Sequence, residues 1–416
     1  MSVRRRVVPP LLRDNRSFRW FWLAQSVSLL GDQVSLLALP LTAVLVLHAG
    51  AAEMGYLTAA NLIPNLLFSV HAGAWADRRG GRRRLMIGTD LGRAALLASI
   101  PIAYALDVLT IEQMYVVAFG TGTLSVLFWV SYNSLFANLL ERDAYVAGSS
   151  LLNGSRAVSY VAGPSVAGLM VQVLSAPAAI AADVLSFLGS ALCMRRIDTP
   201  EPPGDPQEHG AVSAGLRFLR DNAVLRSGLA ATATINLFNF MFFALFILFA
   251  TRELHVSPGT LGLVLGAGAV GSVIGSVVTA PAQRRLGVGP AYMLGCVLFP
   301  APLVLVPLAR GPHWLVLAML FLSEFGSGIG VMLLDICGGA IMAALIPDRL
   351  RSRVAGAYMV VNYGVRPLGA LGGGFLGAAL GLRPALWVAT VGAIAGVLWV
   401  LPSPIPRMRE LPEPAG

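Results

Sequence analysis

The sequence predicts an all-α membrane protein with twelve transmembrane helices in two six-helix bundles. Three observations lead there. Of 416 residues, 56% are hydrophobic and only 12% are charged, about half the charge of a soluble domain. Apolar runs of about 20 residues, the length needed to cross a bilayer, recur twelve times. The arginines between those runs alternate in density along the chain.

Composition excludes other classes. A soluble protein with a mean hydropathy of +0.72 would expose too much apolar surface. The 45 glycines suit helices packed closely in lipid. The net charge is +9, and all 30 basic residues are Arg. Nucleic-acid binding does not follow, because these arginines sit in short loops and not on one solvated face. Arg without Lys, amid heavy Ala and Gly use, points to a GC-rich bacterial genome. Cys193, Cys296 and Cys337 lie inside apolar runs without metal-ligand spacing. They read as small packing residues, and no metal site is expected.

Spans of the first bundle fall near 20–47, 53–76, 85–106, 112–140, 145–174 and 177–194. Those of the second fall near 227–250, 258–281, 289–309, 313–346, 354–380 and 384–402. The domain division is 1–194, 195–225, 226–402 and a tail at 403–416. The first apolar run is too long for a signal-peptide core, so it reads as an uncleaved span after an Arg-rich tail. Residues 198–210 are Pro-rich and acidic, as in an exposed linker. After them, Val212, Leu216 and Leu219 recur at helical spacing, which predicts a short amphipathic helix on the cytoplasmic face.

Arginine counts set the orientation. The termini and even-numbered loops hold 24 of the 30, while the opposite loops hold only Arg252, Arg310 and Arg383. The positive-inside rule then places both termini in the cytoplasm of a bacterial plasma membrane.

The halves repeat. Val146-Ala147-Gly148 and Val354-Ala355-Gly356 stand 208 residues apart, each after a charged turn, and each is followed by an Asn and an Arg: Asn153 and Arg156, then Asn362 and Arg366. Duplication with a parallel pseudo-twofold places a substrate site between the halves near mid-membrane.

Between the second and third spans runs Gly73-Ala-Trp-Ala-Asp77-Arg78-Arg-Gly80-Gly81-Arg82-Arg83-Arg84. It resembles the cytoplasmic loop signature of the major facilitator superfamily, with one extra Gly before the Arg run. The resemblance implies the major facilitator fold, and a cytoplasmic gate built on Gly73, Asp77, Arg78, Gly81, Arg82 and Arg83. The matching loop of the second half, Gln283 to Gly287, lacks the Asp. In the fifth span Ser150, Ser159, Gly163-Pro164, Ala167 and Gly168 resemble the superfamily's antiporter signature, with three of its glycines replaced by Ser or Ala. The resemblance implies export in exchange for protons. Read physically, Gly163, Pro164 and Gly168 form a small-residue stripe with a helix bend, and generic close packing is the alternative. Gly31-Asp32-Gln33 and the turn from Pro347 to Val354 extend the resemblance to the drug and siderophore exporter branch, which includes macrolide efflux proteins and the enterobactin exporter.

Ionisable residues inside a membrane are costly and functional by default. Asp32 and Glu324 are the proton-coupling candidates, Asp32 foremost. Asp335 lies closer to the cytoplasm, where it is expected to pair with loop arginines, and Asp183 is either structural or functional. Asp90 and Arg93 share a helix face and form a gate or structural ion pair near the loop arginines. Arg156 and Arg366 must face carboxylates, carbonyls or a wet cavity. They either bind an anionic substrate or neutralise Asp32 or Glu324. Asn236 and Asn239 form a polar wall, and the phenylalanines around them, Phe238, Phe240, Phe242 and Phe243, read as packing.

No Walker loop, nucleophile elbow or His-rich set is present, so an enzyme is not expected, nor any cofactor beyond the proton gradient. The partners expected are the lipid bilayer, protons and a small-molecule substrate, with no nucleic acid and a monomeric protein. The function expected is proton-coupled efflux of a hydrophobic or amphipathic compound, such as an antibiotic or secondary metabolite, by alternating access. The rivals are siderophore export, nutrient uptake and a membrane sensor that does not transport.

Overall fold

The computed structural model describes residues 9–198 and 212–411, with the backbone alone at 70–79, 212–214 and 349. The described residues form helices and turns, without a strand. In the first half, α1 (Pro10–Asp14) leads into α2 (Arg16–Leu45), α3 (Ala51–Arg79), α4 (Arg82–Ala105), α5 (Ile111–Leu139), α6 (Tyr145–Leu174) and α7 (Ala176–Arg195). After the linker come α8 (Val212–Asp221), α9 (Ala223–Arg252), α10 (Pro258–Leu286), α11 (Val288–Leu298), α12 (Leu305–Leu308), α13 (His313–Leu345), α14 (Arg351–Leu380) and α15 (Leu382–Ala395).

Most spans begin or end a few residues outside the apolar runs, because polar caps and arginines extend them into the headgroup region. The Asn15 side chain accepts from the Phe18 N–H at 2.8 Å. Thr110, Asn222 and Ser257 cap α5, α9 and α10 in the same way. Each satisfies backbone donors that a helix start leaves open. The run at 289–309 is not one helix. It breaks into α11, a 3-10 turn at Ala301–Val304 and the short α12, because Pro300 and Pro302 remove donors and clash with a continuing helix. Among the described residues, ten helical segments are long and apolar enough to cross a membrane. α3 and α14, of 29 and 30 residues, complete the twelve. They lie against each other where the halves meet, and α14 carries Asn362 and Arg366.

The two halves are assembled alike. In the first, α2 packs on α6 and α7, and α4 packs between α5 and α7. In the second, α9 packs on α14 and α15, and α13 on α10 and α11. They join along two seams, α3 with α14 and α6 with α10. Gly55 and Gly262 are each the fifth residue of α3 and α10, and Gly168 and Gly374 are each the 24th of α6 and α14. A Cβ on Gly55 would lie 2.8 Å from Gly374 Cα, and one on Gly262 would lie 3.0 Å from Gly168 Cα. Only glycine allows these backbones to touch. The repeat therefore runs at 206 to 207 residues, not at the 208 of the Val-Ala-Gly match. In the structural register Tyr160 corresponds to Arg366, and Arg156 to Asn362. The two arginines thus occupy equivalent helices but not equivalent positions.

Both seams close at the end remote from the termini. There the Arg252 guanidinium of the second half donates to the His48 carbonyl of the first at 2.6 Å. The Gln172 side chain accepts from the Gly259 N–H at 3.0 Å. Among the described residues, the hydrogen bonds that join the halves lie at this end.

α8 lies at the end of the termini, clamped to protein. Its Leu219 is buried with Val354 and Ala357 of α14, and Gly215 sits on the Arg353 carbonyl. Leu216 is exposed. Residues 199–211 of the Pro-rich linker lie outside the described residues.

Candidate functional site

A central cavity of about 680 Å³ opens between the halves. It touches six helices of the first half and α9 and α14 of the second. Beside it lies a second lobe of about 530 Å³, containing Asn153, Arg156 and Ser272. The two share Leu36, Tyr160, Phe243 and Ile247.

Asp32, Asp183 and Arg93 line one side of the cavity, with a third carboxylate, Asp90, buried beside Arg93. Arg93 pairs with Asp90, both buried. Asp90 also accepts from Ser190 Oγ at 2.7 Å. Asp183 accepts from Ser186 Oγ at 2.8 Å and from Ser35. Arg93 lies near enough to Asp32 and Asp183 for its charge to act on both. Its planar group sits between the Phe187 and Phe128 rings, 4.2 and 4.4 Å from their centroids, and its Nε has no partner. Asp32 receives no hydrogen bond among the described residues, and its carboxylate looks into the cavity. Gly31 makes the cluster possible, since a side chain there would collide with Ser186 and Asp183 where α2 meets α7. Asp90 and Arg93 form an ion pair about halfway along α4, where Arg93 lines the cavity. Asp183 belongs to the same cluster as Asp32.

The opposite wall is basic. Arg366 Nε donates to Asn236 Oδ1 at 3.2 Å, and Asn236 Nδ2 to Asn362 Oδ1 at 3.1 Å. Asn362 in turn donates to the Tyr358 carbonyl at 3.2 Å. The Arg366 guanidinium lies over Tyr363 at 4.3 Å and Phe240 at 5.0 Å. Arg156 lies over the Trp129 ring at 5.4 Å. Among the described residues no carboxylate comes within 4.0 Å of either arginine. Asn239, Phe240 and Phe243 line the cavity, so two of the four phenylalanines face it rather than packing away from it.

Other sequence candidates fall elsewhere. Glu324, on α13, points at α10, where a Cβ on Gly268 would lie 3.2 Å from its Oε2. It does not line the central cavity. Asp335 does not pair with loop arginines among the described residues. It lines a separate pocket of about 250 Å³ with Tyr292, Tyr358 and Thr232, and the nearest cation acting on it is Arg366. Gly163 packs on Gln33, and Pro164 and Gly168 form the α10 seam, so the stripe in α6 is an interface between the halves. The side chains of Gly73, Asp77 and Arg78 lie outside the described residues. Gly80 and Gly81 both have left-handed φ, 60° and 64°, and so the extra Gly of the loop fits a turn that other residues resist. Arg83 donates to the Ile197 carbonyl, tying this loop to the end of α7.

Tyr160, Ser35, Thr58 and Asn61 line the cavity and went unremarked in the sequence. Their only signal is polarity inside apolar runs. The exact repeat was also available, since Leu47-His48 and Leu254-His255 each precede a seam glycine at the same spacing. Both histidines have left-handed φ, 54° and 52°.

Two six-helix halves around a shared, charged cavity define a transporter of the major facilitator class. The chain belongs to the transmembrane secretion effector family of that class, whose sequence profile matches residues 8–414. It is a multi-pass membrane transporter, not an enzyme. It is 26% identical over 397 residues to the multidrug efflux pump Tap of Mycolicibacterium fortuitum, covering 92% of this chain and 93% of that one. It is likewise 26% identical over 399 residues to the uncharacterized MFS-type transporter YfiS of Bacillus subtilis, covering 91% of each. Among solved structures it resembles a bacterial homologue of the iron transporter ferroportin in an inward-facing state, with TM-score 0.74 and 15% identity over 93% of this chain and 98% of that one. It also resembles an inward-facing bacterial homologue of the lysosomal transporter Spinster, with TM-score 0.73 and 13% identity over 96% and 98%.

Proposed function

We propose that this protein exports an amphipathic small molecule from the bacterial cytoplasm in exchange for protons, by alternating access through the central cavity. The observation that carries the reading is the wall where a single guanidinium, Arg93, faces Asp32, Asp90 and Asp183. Three carboxylates around one cation leave negative charge uncompensated in a site shielded from bulk water, which favours holding a proton or a cationic ligand there. Asp32 reaches the cavity without hydrogen-bond partners and is the exchangeable group. Asp183, held by two serine hydroxyls, adds its charge to the same cluster. A ligand entering from the cytoplasmic side displaces the proton, and the altered charge biases which end of the cavity opens. The multidrug efflux name of the Tap relatives supports export of this kind.

The test is proton flux in proteoliposomes carrying a pH gradient, with a panel of antibiotics and siderophores added. The expected result is a compound that dissipates the gradient through the wild type and not through Asp32→Asn. Flux that survives the substitution removes Asp32 from the coupling step and leaves Glu324 as the next candidate.

A further inference from the structure

The cavity's two walls differ in sign, and that difference constrains what fits between them. Asp32 and Asp183 stand on α2 and α7 of the first half. Arg366 stands on α14 of the second half, fixed by Asn236 and stacked on Phe240 and Tyr363. Arg366 and Asp32 line the same cavity, yet each lacks an ion pair among the described residues. The rest of the lining mixes aromatic rings, Phe243 and Tyr160 among them, with polar groups such as Thr58, Asn61 and Asn239. Buried charges without partners are costly unless something else completes them. A ligand with one charge completes one wall and leaves the other bare.

The geometry points to a zwitterionic aromatic substrate, whose cationic group meets Asp32 on one wall and whose anionic group meets Arg366 on the other. The aromatic body lies on Phe240 and Phe243, and the guanidinium plane offers the anion a two-point contact. Because Asp32 and Arg366 belong to different halves, such a ligand bridges the halves, and its binding is linked to their relative position. Proton exchange stays consistent with this assignment, since the ammonium and the proton compete for the same carboxylate while the anion stays on Arg366. The inference rests on the export reading only in taking the central cavity as the substrate site.

The test is equilibrium binding to the full-length protein in lipid nanodiscs, with no gradient present. Three probes share one naphthalene body: 6-(aminomethyl)-2-naphthoate, 2-naphthylmethylamine and 2-naphthoate. Their fluorescence reports Kd for the wild type, Asp32→Asn, Arg366→Gln and Arg366→Lys, each checked for folding by gel filtration and thermal unfolding. The zwitterion is expected to bind at least tenfold tighter than either singly charged probe. Asp32→Asn and Arg366→Gln should each remove that advantage, and Arg366→Lys should restore part of it. If the amine binds the wild type as tightly as the zwitterion, or Arg366→Gln leaves the zwitterion's Kd unchanged in a folded protein, the assignment is overturned. The outcome is separate from the export reading. A zwitterion that binds with this dependence but moves no protons in proteoliposomes leaves the site standing and removes proton exchange.

Discussion

Arg93 is the residue on which the first half's charge balance turns. Its guanidinium is 5% exposed, and it is the one cation among three carboxylates, with Asp90 fully buried. Removing one partner of a buried pair leaves an uncompensated charge, at a cost of about 3–5 kcal/mol. Arg93→Met is therefore expected to lower thermal stability in detergent by that order, and Arg93→Met combined with Asp90→Leu to recover much of it. A thermal unfolding series of the three variants checks this. If the double variant is as unstable as the single one, stability depends on the stacking of Arg93 on Phe128 and Phe187 and not on its charge. Sequence reading singled out Asp32, Asp90, Arg93 and Asp183 because charge is rare in apolar runs. It paired Asp90 with Arg93 but did not join Asp32 and Asp183 to them, since these come from α2 and α7, which Gly31 lets approach closely. Asp335 and Glu324 were equally visible as intramembrane acids. What separates them from Asp32 is the direction each helix faces, which one chain's sequence does not carry.

At the scale of elements, the seams between halves are built from glycine on glycine. Gly55 on Gly374 and Gly262 on Gly168 are related by the repeat and sit at the closed end. A leucine at Gly55 or Gly262 cannot be accommodated without separating the helices. Both variants are expected to hold the end remote from the termini ajar, raising labelling of cysteines placed in the cavity by a membrane-impermeant reagent applied from that side. Because the two seams are equivalent, the two variants should act alike. An effect at one seam only would mean that the other is not part of the gate. The helices themselves were largely legible, because hydropathy and caps act locally. The 289–309 run stands as a candidate span, but its break into α11, a 3-10 turn and α12 was not visible in hydropathy, which ignores the donors that Pro300 and Pro302 remove. The match at a shift of 208 was a coincidence of small residues, and the true register lies in the Leu-His turns and seam glycines.

At the scale of the molecule, we propose from the arginine distribution that both termini lie in the cytoplasm. A fluorescent-protein fusion at the C-terminus should fold and fluoresce, and a phosphatase fusion at the same place should stay inactive. The reverse pattern would invert the orientation. The α8 helix, read from its amphipathic sequence as a short helix on the cytoplasmic face, is clamped to α14 through Leu219 and moves with the second half on this view. The duplication was readable from the sequence as a principle. The cavity was not, because its lining is drawn from eight helices, a residue or a few from each.

The central claim is that the two halves rock about the charged cavity and that the proton on Asp32 biases the motion. Spin-label distance measurements on reconstituted protein test it without requiring a known substrate. One label pair spans the remote end, at Leu106 and Arg310, and another the terminal end, at Glu141 and Arg285, in a background without the native cysteines. The account predicts two populations at each end, changing in opposite senses as pH is lowered, with Asp32→Asn fixing the low-pH distribution at every pH. A single distance at both ends that ignores pH, or a pH response that persists unchanged in Asp32→Asn, would contradict it.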